Sequence, residues 1–209
     1  MKYWMLMWLV LATGALAAPR SQGTPGEFDF YVLSLSWSPT FCLTHPDNEQ
    51  CTGKGYGFVL HGLWPQYARG GWPASCAPQV PLNREAMEKG AALFPTRALL
   101  KHEWAKHGTC SGLEPVAYLE KTDAALGVVN IPQRLQPFNT PPSLQAREIE
   151  ALFRESNPRL GNHGLAVICR GKVLSEVRVC LTKDLAFAGC PRSVKTQCRD
   201  GDIRIPTQR

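Results

Sequence analysis

The chain has 209 residues, with 23 Lys and Arg against 17 Asp and Glu, a formal charge of +6, and 44% hydrophobic residues. This size suits one domain with a substantial core, and neither repeats nor a linker marks a second. The basic balance suits a polyanionic partner, but without a dense Lys/Arg block charge alone does not establish nucleic-acid binding.

Lys2 precedes an apolar run from Tyr3 to Leu16, with small residues at Ala15 and Ala17. That is the layout of a secretory signal cut before Ala18. The rival reading, a membrane anchor, needs roughly 20 apolar residues, and this run is shorter and contains Thr13 and Gly14. Residues 1–17 are therefore expected to be a cleaved signal and 18–209 one exported domain. Removing the signal takes away only Lys2, leaving 22 basic against 17 acidic residues and a charge of +5. All eight cysteines, Cys42, Cys51, Cys76, Cys110, Cys169, Cys180, Cys190 and Cys198, lie in the exported part. An even count in an oxidising compartment reads as four disulfides. No C-x-x-C pair suggests zinc thiolates. About 105 pairings remain open, with Cys42–Cys51 and Cys180–Cys190 plausible as short loops.

In chain order, Phe28 to Trp37 alternates Tyr31, Leu33, Leu35 and Trp37 against Phe30, Val32, Ser34 and Ser36. It predicts a strand with one more apolar face, stopped by Pro39. Polar, turn-rich residues follow from Cys42, and a second strand runs from Gly55 to His61, ending at Gly62-Leu-Trp-Pro65. An irregular stretch from Gln66 to Pro81 is pinned by Cys76. Asn83 caps a helix running to Phe94, and Pro95 to His107 is a second helix closed by Gly108. Pro115 to Leu126 is a third, with proline in its first turn. After a proline-rich connection, Ser143 is expected to cap a fourth, whose Leu144, Ile149, Leu152 and Phe153 form a core-facing stripe. Leu165–Arg170 and Val173–Leu181 pair as strands across Gly171-Lys172. In the second of them Val173, Val177 and Val179 face one way and Leu174, Glu176 and Arg178 the other. Asp202 to Ile205 adds an edge strand. The predicted class is α+β, a central antiparallel sheet with helices packed around it.

The chemistry concentrates in Lys101 to Cys110, KHEWAKHGTC. At about 100° per residue, with His102 at zero, Lys106 falls near 40°, Glu103 near 100° and His107 near 140°. Two imidazoles, a carboxylate and an ammonium share one side of the helix, Trp104 and Ala105 turn away, and Leu99 and Leu100 fall inside the arc. With His61 at a strand end there are three histidines, able to take and give protons near neutral pH. A zinc protease helix needs its two histidines four apart on one face; here they are five apart, with Lys106 repelling a cation. No G-x-S-x-G elbow marks a serine nucleophile, and every cysteine has a disulfide role. A cation and donors around imidazoles suit charge developing on phosphorus. His45 and His163, in loops, read as surface residues.

GFVLHGLWP (Gly57 to Pro65) and KHEWAKHGTC resemble the two active-site segments of the ribonuclease T2 family, secreted endoribonucleases that include plant self-incompatibility nucleases. The resemblance implies a T2-like, disulfide-stapled domain that cleaves RNA without metal or other cofactor. The 2′-hydroxyl attacks phosphorus, the 5′-oxygen leaves, and a 2′,3′-cyclic phosphate forms, later hydrolysed to a 3′-phosphate. By position it implies His107 as general base and His61 as general acid; spacing alone does not tell the two apart. Glu103 and Lys106 would stabilise the phosphorane and His102 would hold the phosphate. Trp64 resembles the base-stacking residue, against the plainer reading of a core tryptophan. Gln66 stands where some members carry an acidic residue that influences base preference. That preference is left open, with Tyr67 or Trp72 as the other wall. A further departure is Leu99-Leu100, where relatives often have an aromatic-rich lead-in. The resemblance also implies Cys76–Cys110, and Cys169–Cys198 around Cys180–Cys190. The expected protein is a monomeric, broad-specificity ribonuclease, periplasmic or extracellular, with RNA as partner and no membrane after signal removal. The alternative is an inert RNA-binding or toxin-like relative on the same scaffold.

Overall fold

A computed structural model describes residues 23–207, so the signal expected over residues 1–17 lies outside the described residues. In chain order the elements are β1 (Phe30–Trp37), α1 (Ser38–Cys42), β2 (Phe58–Gln66), α2 (Arg84–Leu93), α3 (Arg97–Lys106), α4 (Pro115–Val128), β3 (Ser143–Gln145), α5 (Ala146–Ser156), β4 (Leu165–Arg170), β5 (Val173–Leu181) and β6 (Asp202–Arg204). Short 3-10 turns at Gly108–Ser111 and Gln133–Leu135 follow α3 and α4. The fold is α+β, as the alternation in the strands and the helical middle section predict.

β1 is central, pairing antiparallel with β2 on one side and β5 on the other, and β4 returns antiparallel along β5. The sheet is antiparallel apart from one parallel pair, Val173 with Arg204, that joins β6 to β5. β6 is therefore not an edge strand: it lies between β5 and β3. β2 is at the end of the strand order, which is why it continues through Pro65, since an edge strand tolerates a residue that cannot donate.

The alternation in β1 divides the interior in two. Tyr31, Leu33, Leu35 and Trp37 face the helices and join Leu100, Tyr118, Leu119, Ile149 and Phe153 in the main core. Phe30 and Val32 face the other way into a smaller cluster with Ala166, Cys180 and Val194. Towards the end of the strand that second face becomes Ser34 and Ser36, leaving room over the sheet.

One local reading is extended and two are corrected. Pro39 ends β1 but also opens the five-residue helix α1, where its missing N–H is not needed. Ser143 does not cap a helix; it pairs with Arg204 in β3. The N-cap of α5 is Gln145, in a box with Glu148, whose carboxylate accepts from the Gln145 N–H at 2.7 Å. In β5, Leu174 joins Val177, Val179 and Leu181 in the main core. The register shift opposite Ile168/Cys169 inserts Ser175 and turns Leu174 away from Glu176 and Arg178.

Four disulfides join Cys42–Cys51, Cys76–Cys110, Cys169–Cys198 and Cys180–Cys190. The second closes 34 residues between the loop after β2 and the turn after α3. Chain entropy assigns such a closure about 4 kcal/mol. The C-terminal segment is fixed by Trp37, whose indole N–H donates to the Pro206 carbonyl at 2.7 Å. Among the described residues no helix is long and apolar enough to cross a membrane.

Candidate active site

His61 owes its position to a bulge. Ser34 on β1 pairs with Gly62 and Leu35 pairs with Leu60, so His61 is left without a partner. The extra residue lets Leu60 and Leu63, three apart, both reach the main core, and it aims His61 to the opposite face beside Trp64. The two rings meet edge to face with centroids 5.0 Å apart. Ser34, paired with both Gly62 and Arg178, is small enough for side chains of β2 and β5 to meet above it.

The second half of the site comes from α3. Thr96 caps it by accepting from the Leu99 N–H at 3.1 Å. Leu100 is fully buried against the bare Cα of Gly90 on α2, where an added Cβ would lie 2.5 Å from its methyls. Trp104 donates to the Val80 carbonyl at 2.7 Å and packs on Tyr118, whose hydroxyl donates to the Leu63 carbonyl at 2.9 Å. These contacts hold the helix against the loop and β2 by its apolar side, leaving His102, Glu103 and Lys106 to the cleft. The helix is shorter than the sequence predicts. His107 is its C-cap, with φ −120° and ψ −44°, and the chain tightens into a 3-10 turn there. The helical-wheel angle for His107 therefore does not hold. Departure from the helix carries its ring in beside Trp64, centroids 5.2 Å apart.

Trp64 is the hinge of the constellation. Both imidazoles lie against its indole, and the indole N–H donates to Glu103 Oε2 at 2.6 Å. This contact needs Gly62, where an added Cβ would sit 2.3 Å from Glu103 Oε2 and 2.4 Å from Trp64 Nε1. The glycine before Leu-Trp-Pro is thus a site residue through close approach, not through its own chemistry.

The electrostatics separate the two histidines. His107 is 5% exposed, and burial, then the charges of Lys106, His61 and His102, pull its pKa from 6.5 to about 3. Its Nδ1 has no hydrogen-bond partner among the described residues. For His61, burial also opposes the charged form, but the hydrogen bond and charge of Glu176 and the charge of Glu103 outweigh it and raise the pKa above 6.5. Glu103 is raised by burial, against the opposing pull of His61, the Trp64 N–H and Lys106. His102, exposed at the rim, is lowered by partial desolvation and then by Lys106 and His61.

The cleft encloses about 310 Å³ and brings together His61, Trp64, Gln66, His102, Glu103, Lys106 and His107 from the sequence reading. Gln66 is nearly buried, its amide donating to the Pro65 carbonyl at 2.9 Å. Tyr67 is not brought in: it packs against the main core. Trp72, 54% exposed, lines the wall instead. His45 stacks on Phe41 at the surface and His163 is exposed. A larger depression of about 750 Å³ near the Cys42–Cys51 disulfide has Arg204 as the one titratable side chain in its lining. It lacks the convergence of ionisable groups that marks the smaller cleft.

Two residues in the cleft region were missed. Glu176 Oε2 is 3.1 Å from His61 Nδ1, and the Arg178 guanidinium lies 5.2 Å from the Trp64 ring centroid. The one signal available was their charge on the less apolar face of a predicted strand. Among the described residues no group of three or more His, Cys, Asp or Glu side chains is placed to hold a metal ion.

The Ribonuclease T2 family model matches residues 28–190. The chain belongs to the ribonuclease T2 family. It is similar to a ribonuclease of Aeromonas hydrophila, 48% identical over 110 residues, covering 52% of this chain and 50% of that protein. The chain spans about half the length of several curated relatives it matches. Among solved structures, the RNase-related protein from Calystegia sepium superposes with a TM-score of 0.72 at 26% identity, over 88% of this chain and 99% of that one. RNase NT in complex with 5′-AMP has the same fold, with a TM-score of 0.70 at 23% identity over 87% and 99% of the two chains. The T2 match contains every cleft residue except Ser193 and Val194.

Proposed function

We propose that the chain is an exported, metal-independent endoribonuclease that cleaves single-stranded RNA to 2′,3′-cyclic phosphate and then 3′-phosphate products, with little base specificity. One observation carries the reading: two imidazoles flank one indole in one cleft, and their surroundings push their pKa values in opposite directions. That divergence separates a base from an acid. His107, held neutral, takes the 2′-hydroxyl proton. His61, held protonated, gives its proton to the departing 5′-oxygen. Lys106 offsets charge on the phosphorane. Glu103, buried beside Lys106 and held by the Trp64 N–H, joins it in stabilising the phosphorane. His102 at the rim binds phosphate. Trp72 and the free part of the Trp64 ring offer stacking faces that any base can use, which suits broad specificity. Four disulfides and the N-terminal apolar run support export to a periplasmic or extracellular space.

The test is kcat/KM for RNA against pH in excess chelator. The base acts unprotonated, so the rate rises as pH rises through the His107 pKa, near 3. The acid acts protonated, so the rate falls as pH rises through the His61 pKa, above 6.5. A plateau across the mildly acidic range is expected. Activity abolished by chelator, activity climbing steadily into alkali, or RNA bound but not cut would overturn the reading.

A further inference from the structure

Glu176 is a carboxylate that the ribonuclease mechanism above does not use. It comes from β5, 115 residues from His61 in sequence, and is 7% exposed. Both its oxygens are engaged. Oε2 accepts from His61 Nδ1 at 3.1 Å, and Oε1 accepts from Arg178 Nε. The other ring nitrogen, His61 Nε2, lies 3.6 Å from Glu103 Oε1, on the side where Lys106 and His107 line the cleft. The ring is thus held by one nitrogen and presents the other.

We propose that Glu176 is the positioning residue of the acid: it grips the His61 ring through Nδ1–H, so that the proton on Nε2 faces the leaving 5′-oxygen. The proposal rests on the reading of the cleft as a ribonuclease site. In the cyclising step the 2′-oxygen–phosphorus bond forms and the phosphorus–5′-oxygen bond breaks. The 2′-hydroxyl proton passes to His107, and the Nε2 proton passes from His61 to the 5′-oxygen. His61 is left neutral, its Nδ1–H still donated to an ionised Glu176. A carboxylate behind an imidazole fixes both its orientation and the nitrogen that works.

The charged and titratable groups around His61 are Glu176 and Arg178 from β5, and His102, Glu103, Lys106 and His107 from α3 and its cap. Burial works against the ionised form of Glu176, but the His61 hydrogen bond and the Arg178 charge prevail and hold its pKa below the usual value. Arg178 has the opposite effect on His61, lowering its pKa. Glu176 and Arg178 therefore set the acid from opposite directions, which gives the proposal a sign in each variant.

Glu176→Gln keeps the shape and removes the charge. In the full-length exported chain, the His61 titration followed by proton NMR should fall by about one unit. The alkaline limb of kcat/KM for RNA should fall with it, a loss of about tenfold above the wild-type limb and little change on the acid side. Arg178→Gln should move the His61 titration upward. A uridine 3′-phosphodiester with a 4-nitrophenol leaving group needs no acid, so Glu176→Gln should cleave it about as fast as wild type. A merely structural Glu176 would instead give equal losses at every pH and on both substrates, with an unmoved His61 titration, and that result overturns the proposal. Glu176→Gln chain that fails to fold leaves the decision to the Arg178→Gln titration, where a downward or absent shift counts against it. Wild-type chain that cuts no RNA removes the ribonuclease reading, while the NMR titrations still decide whether Glu176 governs His61.

Discussion

His61→Ala and His107→Ala each lower kcat/KM for RNA by about 10²–10⁴, the range for removing one proton-transfer group, and both variants keep a cooperative unfolding transition. His61 sits on a bulge with a third of its side chain exposed, and its removal leaves Glu176 still paired with Arg178. His107 is buried, but among the described residues its Nδ1 has no partner to be orphaned, so truncation chiefly forfeits packing against Trp64. The two losses differ in kind. With a 4-nitrophenol leaving group the His61→Ala deficit should shrink, because the departing oxygen no longer needs a proton. The His107→Ala deficit should persist, because the nucleophile still must lose one. In the double variant the losses should not multiply, since the groups act on one transition state as a unit. Single-turnover rates on both substrates measure this. Near-normal cleavage of RNA by either single variant removes that residue from the mechanism.

The second large effect is on the substrate. An oligonucleotide with deoxyribose at the scissile nucleotide should be refractory, because the attacking atom is absent, whereas deoxyribose at neighbouring positions should be tolerated. This is not a graded loss of a contact. A nuclease that activates water would cut both, so turnover of an all-DNA strand contradicts the cyclising step. The measurement is a gel or mass profile of a mostly deoxy strand carrying one ribonucleotide, with cleavage expected after that residue alone.

The α+β class and the reactive segment were legible because they rest on local pattern. The period-two alternation of β1, the Asn83 cap and Pro115 at a helix start act over a few residues. What was illegible depends on pairing between distant strands. The bulge that aims His61 exists because Gly62 and Leu60 pair with adjacent residues of β1, and no count along β2 reveals it. Ser175 is inserted in β5 for the same kind of reason, and it decides that Glu176 faces His61 while Leu174 does not. Gln145 is an uncommon capping residue and so gives little signal of its own, although Glu148 three residues on supplies the partner half of the box. The helical angle misplaces His107 because the helix ends at Lys106, and sequence proximity to Trp64 misplaces Tyr67 because the turn after β2 carries it to the main core. The divergence of the two imidazoles was the least visible of all, since it follows from burial and from Glu176 across β1.

The most direct test of the account is phosphorus NMR of the earliest products when wild-type chain cuts RNA in excess chelator. A 2′,3′-cyclic phosphate signal that appears first and decays slowly to a 3′-phosphate is the predicted course. Products that carry a 5′-phosphate from the outset, with no cyclic intermediate, would contradict the transfer of protons between His107, the ribose and His61.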